Sequence, residues 1–470
     1  MRLPFRSTRL PALALVTAVV PAAVLAGGGQ SAATAATVTA ASTTAVTTTA
    51  TATARTVVSA PEIPDSPAGR QLTWFFDALS RTPIAEDELR EHFTESFLTA
   101  VPADEINKFA GTLKGLTLES LTTVKPTALQ GTATLGEQRF LLAISVDDAG
   151  KINGLQLPPA PGPVPPFPKS WGELDTRLRQ VAPNVGFLAA EIDGGRCRVV
   201  HGVNENRPQP LGSIFKLYVL GAVAEKIRDG ELRWNTKLTI RPEWKSPSEG
   251  GLWERPDNST TTVREAAKLM ISISDNTATD LLIHTVGRAA VEAKVRQWSD
   301  HAKQNIPFLT TREFFLLKGV NHPQQARTYL ALGTAKKRAY LKNVVAKQAL
   351  TDIRQGTEPR EIGTIEWFGS PRDVCRAYVG LGGLYSRQLD DALSGADGLD
   401  LDRKKWPTVW FKGGSELGVL SLGYLGRSAS GRTYVVTSLT NDPKKALDES
   451  TVVPQLISLT KGAFSLVRAR

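Results

Sequence analysis

Ser213-Ile214-Phe215-Lys216 opens an apolar helical stretch, and it is followed in order by Ser274-Asp275-Asn276 and by Lys412-Gly413-Gly414-Ser415. Residues three apart at a helix start project from one face, so the amine of Lys216 reaches the hydroxyl of Ser213. A serine hydroxyl is a weak nucleophile until a neighbour takes its proton. Lys216 does so if burial and nearby cations bring its pKa toward neutrality. The start of the helix also offers unpaired N–H groups where an oxyanion forms when a carbonyl is attacked. The stretch therefore predicts acyl transfer through Ser213. S-x-x-K alone is a weak signal, because it occurs again at Ser458-Leu459-Thr460-Lys461. That copy falls inside the last amphipathic helix, where no free N–H groups face it, and is not read as catalytic.

Together the three motifs resemble the S-x-x-K, S-D-N and K-T-G set of penicillin-binding proteins and class A β-lactamases. The resemblance covers about residues 168–470. Thr262-Val263-Arg264-Glu265-Ala266-Ala267, leading into Ser274-Asp275-Asn276-Thr277-Ala278, resembles the paired helices that carry S-D-N there. The third motif reads K-G-G-S, and a small domain and a proline-rich linker come first. In this the chain is most similar to the Cpe/LpqF family of actinobacterial β-lactamase-like proteins, which includes the esterase-like protein of the clavulanic acid gene cluster. The resemblance implies an α/β β-lactamase-like (serine transpeptidase-like) catalytic domain preceded by a small α+β cystatin-like domain. It implies Ser213 as nucleophile and Lys216 as its base. Ser274 relays a proton to the leaving group, and Asn276 holds a substrate oxygen and Lys216. Lys412 supplies positive charge, and the backbone N–H groups of Ser213 and Ser415 form the oxyanion hole. Phe411, Gly413, Gly414 and Ser415 line the substrate strand. Asp275 orders its turn through backbone hydrogen bonds.

Two departures from that pattern bear on substrate. Class A enzymes deacylate with a glutamate in an E-x-x-x-N context. Glu292, Glu313, Glu358, Glu361 and Glu366 lie between the second and third motifs, none with Asn at that spacing, and Glu313 is nearest the expected distance from S-D-N. No arginine follows Lys412 on its strand to clamp a carboxylate, since Arg427 falls near a turn. An acyl-enzyme is expected to persist, and hydrolysis of ordinary β-lactams to be weak or absent.

Met1–Ala26 carries Arg2, Arg6 and Arg9 before the apolar run Pro11–Leu25, and reads as a signal peptide without a lipobox cysteine. Cleavage after Ala26 and after Ala33-Thr34-Ala35 are both readable, and an uncleaved anchor is the alternative. Residues 27–61 form a low-complexity Ala/Thr-rich tether. Residues 62–156 form a small α+β, cystatin-like or steroid-isomerase-like unit. Leu72, Phe75, Phe76 and Leu79, then Leu89, Phe93, Phe97 and Leu98, recur at helical spacing before three strand-like segments. Seven prolines in residues 157–168 make a stiff linker, and residues 169–470 are the hydrolase. There a strand-rich start, a helical block from Ser213 to about Gln348, and three late strands with a closing helix predict a sheet assembled from both ends. The net charge of +10 includes no Lys/Arg run dense enough for nucleic acid. Cys197 and Cys375 belong to an exported chain where pairing is permitted, and the sequence leaves their pairing open.

The five histidines lack metal-ligand spacing, so no metal is expected, and no cofactor is implied, since P-loop and dinucleotide fingerprints are missing. No G-x-S-x-G elbow is found. The sequence thus predicts a secreted, cell-envelope serine hydrolase acting through acyl-Ser213 on a small-molecule ester or β-lactam-like substrate. A D,D-peptidase acting on cell-wall peptide, and a protein that captures such ligands without turnover, are the alternatives. No integral membrane domain is expected after signal cleavage, and the oligomeric state is left open.

Overall fold

Two stretches far apart in the chain build the sheet on which the Ser213 motif rests. In the computed structural model, which describes residues 61–468 apart from 249, 355, 396 and 397, strands Thr408–Glu416, Val419–Arg427, Thr433–Asn441, Asn184–Asp193 and Arg196–Val203 lie side by side in that order. Every pair is antiparallel. The expected signal peptide and tether lie outside the described residues.

The inner strands read as near-continuous apolar runs because both sheet faces are covered. Residues 185–190 are all buried. On one face Phe411, Tyr424 and Phe187 pack against Leu174 and Leu178 of helix Trp171–Val181 and Leu456 and Phe464 of helix Glu449–Arg468. On the other face Leu188, Trp410 and Leu425 join a larger core with Phe215, Tyr378 and Leu381. Each fully buried aromatic or leucine contributes about 1.5–3 kcal/mol of apolar transfer energy, so the two cores hold the sheet between helical layers.

Strand Thr408–Glu416 is an edge strand, and its free edge is where backbone groups remain for a ligand. The helical block inserted between the two halves of the sheet includes Lys216–Arg228, Val263–Ser272, Asn276–Val286, Thr311–Gly319 and Pro371–Gly383. Threonine side chains start two of these helices. The Thr262 side chain accepts from Glu265 N, and Thr310 and Glu313 form a reciprocal capping box. Ser458 is fully buried in the closing helix, where Arg177 donates to its Oγ at 2.8 Å and it donates to the Pro166 carbonyl at 3.0 Å. Its role is packing.

Residues 61–160 make a separate unit. Helices Pro67–Ser80, Glu86–His92, Glu95–Ala100 and Ala103–Thr112 precede a four-stranded antiparallel sheet, Thr117–Lys125, Ala128–Leu135, Gln138–Val146 and Ile152–Gln156, in sequential order. The proline-rich segment is not a uniform spacer. Its first residues extend the small unit, where Leu141 N donates to the Pro158 carbonyl and Ala160 N to that of Arg139. Its later residues belong to the larger unit, where Gly162 N donates to the Ser450 carbonyl at 2.9 Å. That carbonyl is the one Pro454, four residues on within the closing helix, cannot bond. Cys197 and Cys375 form a disulfide tying the other edge strand of the large sheet to helix Pro371–Gly383.

Candidate active site

The backbone around Ser213 is shaped by glycine on both sides. Gly212 has φ +50° and starts a single 3₁₀ turn, Gly212–Phe215, before the α-helix begins at Lys216. That turn lies directly on the edge strand. A Cβ at Gly212 would meet the Gly414 carbon and Ser415 N at 3.0 Å, and one at Gly414 would meet Ser213 N at 2.5 Å. Only two glycines permit this approach. It brings the backbone of Ser213 beside Gly414-Ser415, although the two motifs are about 200 residues apart in the chain.

Lys216, one turn on, is fully buried. Its Nζ contacts the Ser274 carbonyl, Ser274 Oγ at 3.0 Å and Asn276 Oδ1 at 2.7 Å. Ser213 Oγ is not among these partners. Burial lowers the Lys216 pKa to about 7, opposed by the carboxylates of Asp275 and Asp280.

Ser274 sits between helices Val263–Ser272 and Asn276–Val286 in the left-handed region, φ +60°, which a non-glycine residue adopts only when its surroundings impose it. The surroundings are visible. Asp275 caps the second helix by accepting from Ala278 N at 2.9 Å, and also accepts from Leu252 N at 2.7 Å. Asn276 Nδ2 donates to the Pro247 carbonyl at 2.7 Å, which turns its Oδ1 toward Lys216.

Lys412 completes the cluster from the edge strand. Its Nζ donates to Ser274 Oγ at 3.1 Å and to the Gly413 carbonyl at 2.8 Å. It is 1% exposed, and burial followed by the nearby Lys216 charge holds its pKa well below the usual lysine value. One hydroxyl oxygen thus lies between two buried amines. Both cannot be charged without cost, so a neutral amine with a lone pair is available at neutral pH.

Ser213, Lys216, Ser274, Asn276, Lys412, Gly413, Gly414 and Ser415 are therefore brought together. Phe411 is not. Successive residues on a strand face opposite sides, so with Lys412 turned to the cluster Phe411 enters the opposite core and stacks on Tyr424 at 4.5 Å. Its expected place in the substrate site is corrected accordingly.

Glu313 is also placed elsewhere in the network. It is occupied by the bidentate Arg288 contacts at 2.9 and 2.6 Å and by Thr310 N at 2.9 Å. The residue of that helix that touches the cluster is Thr311, whose Oγ1 donates within a group formed by the Asn276 carbonyl, Ser246 Oγ and Asp280 Oδ1. Asp280, fully buried, also accepts from Thr311 N and Arg312 N, and burial raises its pKa to about 7. Gly212, Thr311 and Asp280 were not legible as site residues. Only the spacing of Asp280, four after Asn276 on one helix face, was a usable sign. Among the described residues no group of three His, Cys, Asp or Glu side chains is arranged to hold a metal, and no helix is long and apolar enough to cross a membrane.

Comparison with known proteins agrees with this geometry. Residues 172–353 match the beta-lactamase enzyme family, and residues 63–152 match the family described as ORF 12 gene product N-terminal. Over residues 172–353 the larger unit is thus similar to the beta-lactamase enzyme family, and its α/β fold is β-lactamase-like. Its third motif lies beyond the matched span and joins the others through the contacts above. Among curated proteins the chain is similar to the beta-lactamase regulatory protein BlaB of Streptomyces cacaoi, 28% identical over 127 residues, which are 27% of this chain and 40% of that protein. The chain thus spans less than half of that relative. Similar solved structures include PBP-A, at 20% identity and TM-score 0.41 over 64% of this chain and 99% of that one. A β-lactamase from Sphaerobacter thermophilus is 18% identical, with TM-score 0.44 over 64% and 98%.

Proposed function

We propose that the protein is an exported acyl-transfer enzyme in which Ser213 is acylated by an ester or β-lactam-like carbonyl. The observation that carries this reading is Ser274 Oγ held between the two buried amines, at 3.0 and 3.1 Å. A neutral Lys216 has two N–H groups and one lone pair for its three contacts. Ser274 O–H then donates to the lone pair while Lys412 donates to Ser274 Oγ, and the relay is set. The Ser213 proton passes to this relay as its Oγ forms a bond to the carbonyl carbon. The resulting oxyanion is held by the N–H groups of Ser213 and Ser415. Strand alternation supports Ser415 in that role, because the Gly413 carbonyl, two residues earlier, already turns to Lys412 rather than along the sheet. Collapse breaks the bond to the leaving group, which receives its proton from Ser274. Water then cleaves the acyl-enzyme.

Deacylation is the slow half of the cycle in this reading. Among the described residues, no carboxylate accepts a hydrogen bond from Lys216, Lys412 or Ser274, and Thr311 stands beside Asn276 where a base would be useful. Slow release also agrees with the regulatory name of the Streptomyces cacaoi relative, and keeps ligand capture as the second reading. The small unit, over residues 62–156, is read as a cystatin-like or steroid-isomerase-like module. Lys216→Ala should lower the acylation rate by about two to four orders of magnitude, the reach of a general base. Stopped-flow acylation with a nitrophenyl ester measures this, and a rate within about threefold of wild type removes Lys216 from the mechanism.

A further inference from the structure

Beyond the relay, one buried acid next to the nucleophile turn has no function in the steps above. Glu366 is 4% exposed. Its Oε2 accepts from the N–H of Trp367, while its Oε1 is buried with no donor among the described residues. The neighbouring acid whose charge and carboxyl raise the Glu366 pKa is Glu416. Two carboxylates offer each other only lone pairs, so this contact is favourable only when one proton lies between them. Glu416 is in turn salt-bridged by Lys318 Nζ at 2.8 and 2.7 Å.

The positions of the two acids give the contact its meaning. Phe368 pairs with Pro210 and Gly369 with Gln209, and Leu211 N donates to the Trp367 carbonyl at 2.8 Å. Glu366 directly precedes Trp367, whose carbonyl holds Leu211, two residues before Ser213. Trp367 then stacks on Phe215 at 3.7 Å. Glu416 directly follows Ser415 on the edge strand. The acid pair therefore joins the backbone that flanks Ser213 to the backbone that follows Ser415.

We propose that Glu366 is a positioning residue, which shares one proton with Glu416 and thereby holds the Ser213 turn and the Ser415 strand at the separation the oxyanion hole requires. Its setting favours the protonated form, since burial and then the Glu416 charge raise its pKa well above the ordinary glutamate value, while Lys318 opposes them. The charged groups around it are Glu416 from the edge strand and Lys318 from helix Thr311–Gly319. Arg360 on the preceding loop donates to the Lys318 carbonyl at 3.3 Å, and the His322–Glu361 pair, at 3.7 Å, lies beyond. Loss of the shared proton leaves two neighbouring carboxylates and one lysine, Lys318, which bonds Glu416. The strands then separate, and acylation falls on the alkaline side.

The inference rests on the acyl-transfer reading, and a readout independent of catalysis separates the two. Infrared difference spectra of the full chain at neutral pH, wild type minus Glu366→Gln, should contain a protonated-carboxyl C=O band that titrates away at alkaline pH. Glu416→Gln should abolish that band, since Lys318 is then free to pair with Glu366. In acylation assays Glu366→Ala should lose at least tenfold at neutral pH. Glu366→Gln, whose amide still donates to Glu416, should recover most of that loss and flatten the alkaline limb of the pH profile. If the wild-type spectrum lacks the band, or Glu366→Gln keeps the wild-type alkaline limb, the proposal is overturned, whatever Ser213 labelling shows. A band with the expected titration in a protein that is never acylated would leave the pair standing and refute the enzyme reading instead.

Discussion

At the scale of single residues, chemistry follows from where two lysines are buried. A lysine at the surface is a cation and cannot act as a base. Lys216, with its pKa brought to about 7, is half neutral near that pH. The sign follows directly, because the form that accepts the Ser213 proton is neutral and grows as pH rises through 7. We predict that the acylation rate of the wild-type protein climbs between about pH 6 and 8, ahead of the alkaline fall assigned to the Glu366–Glu416 pair, since one pKa unit is a tenfold change in the ratio of forms. A pre-steady-state pH series checks this, and a flat profile from pH 5 to 9 would mean that Lys216 is not the titrating base. The residues of the relay were legible in the sequence, because each motif fixes its own spacing and the resemblance supplies the order. Phe411 was misread because a motif lists neighbours along a strand, whereas a strand turns alternate neighbours to opposite faces.

At the scale of elements, the site depends on how closely a 3₁₀ turn approaches an edge strand. Gly414 has no room for a side chain, since an added Cβ would lie 2.5 Å from Ser213 N and closer still to the Leu211 carbonyl. Gly414→Ala should therefore push the turn off the strand. Acylation should fall at least about tenfold, the change given by a loss of about 1.4 kcal/mol of transition-state stabilisation, while the far-ultraviolet circular dichroism spectrum stays that of the wild type. Acylation at the wild-type rate would show that the backbone N–H groups there are not the oxyanion donors. The glycines were visible in K-G-G-S, but their partner across the gap was not. Gly212 owes its importance to a strand two hundred residues away, and no local pattern announces such a contact. The same holds for Thr311 and Glu313. Position along the chain favoured the glutamate, yet the capping box and Arg288 draw it away and leave threonine beside Asn276.

At the scale of the whole molecule, the sheet is assembled from both ends of the catalytic unit, so its closure is non-local. The disulfide Cys197–Cys375 spans 178 residues and restrains that closure in the unfolded chain. Chain-entropy reasoning assigns a loop of this size somewhat more than about 4.7 kcal/mol, of which about 2–4 is commonly realised. Replacing both cysteines by alanine should lower the thermal midpoint by several degrees without changing Ser213 acylation at 25 °C. Calorimetry and a labelling assay check the two halves of this statement, and an unchanged midpoint would contradict it. The division into two units and the sheet from both chain ends could be read from composition and periodicity. The pairing of two cysteines could not, because distance in space is not written in spacing.

The central claim is that Ser213 becomes covalently acylated and is slow to be freed. Intact-mass spectrometry of the wild-type chain and of Ser213→Ala, after incubation with an activated ester and separately with a penicillin, tests it most directly. The account predicts one adduct per wild-type chain, transient with the ester and persistent with the penicillin, and none in the Ser213→Ala chain. A wild-type chain that binds either compound without gaining mass, or a Ser213→Ala chain labelled as fully as wild type, would contradict it.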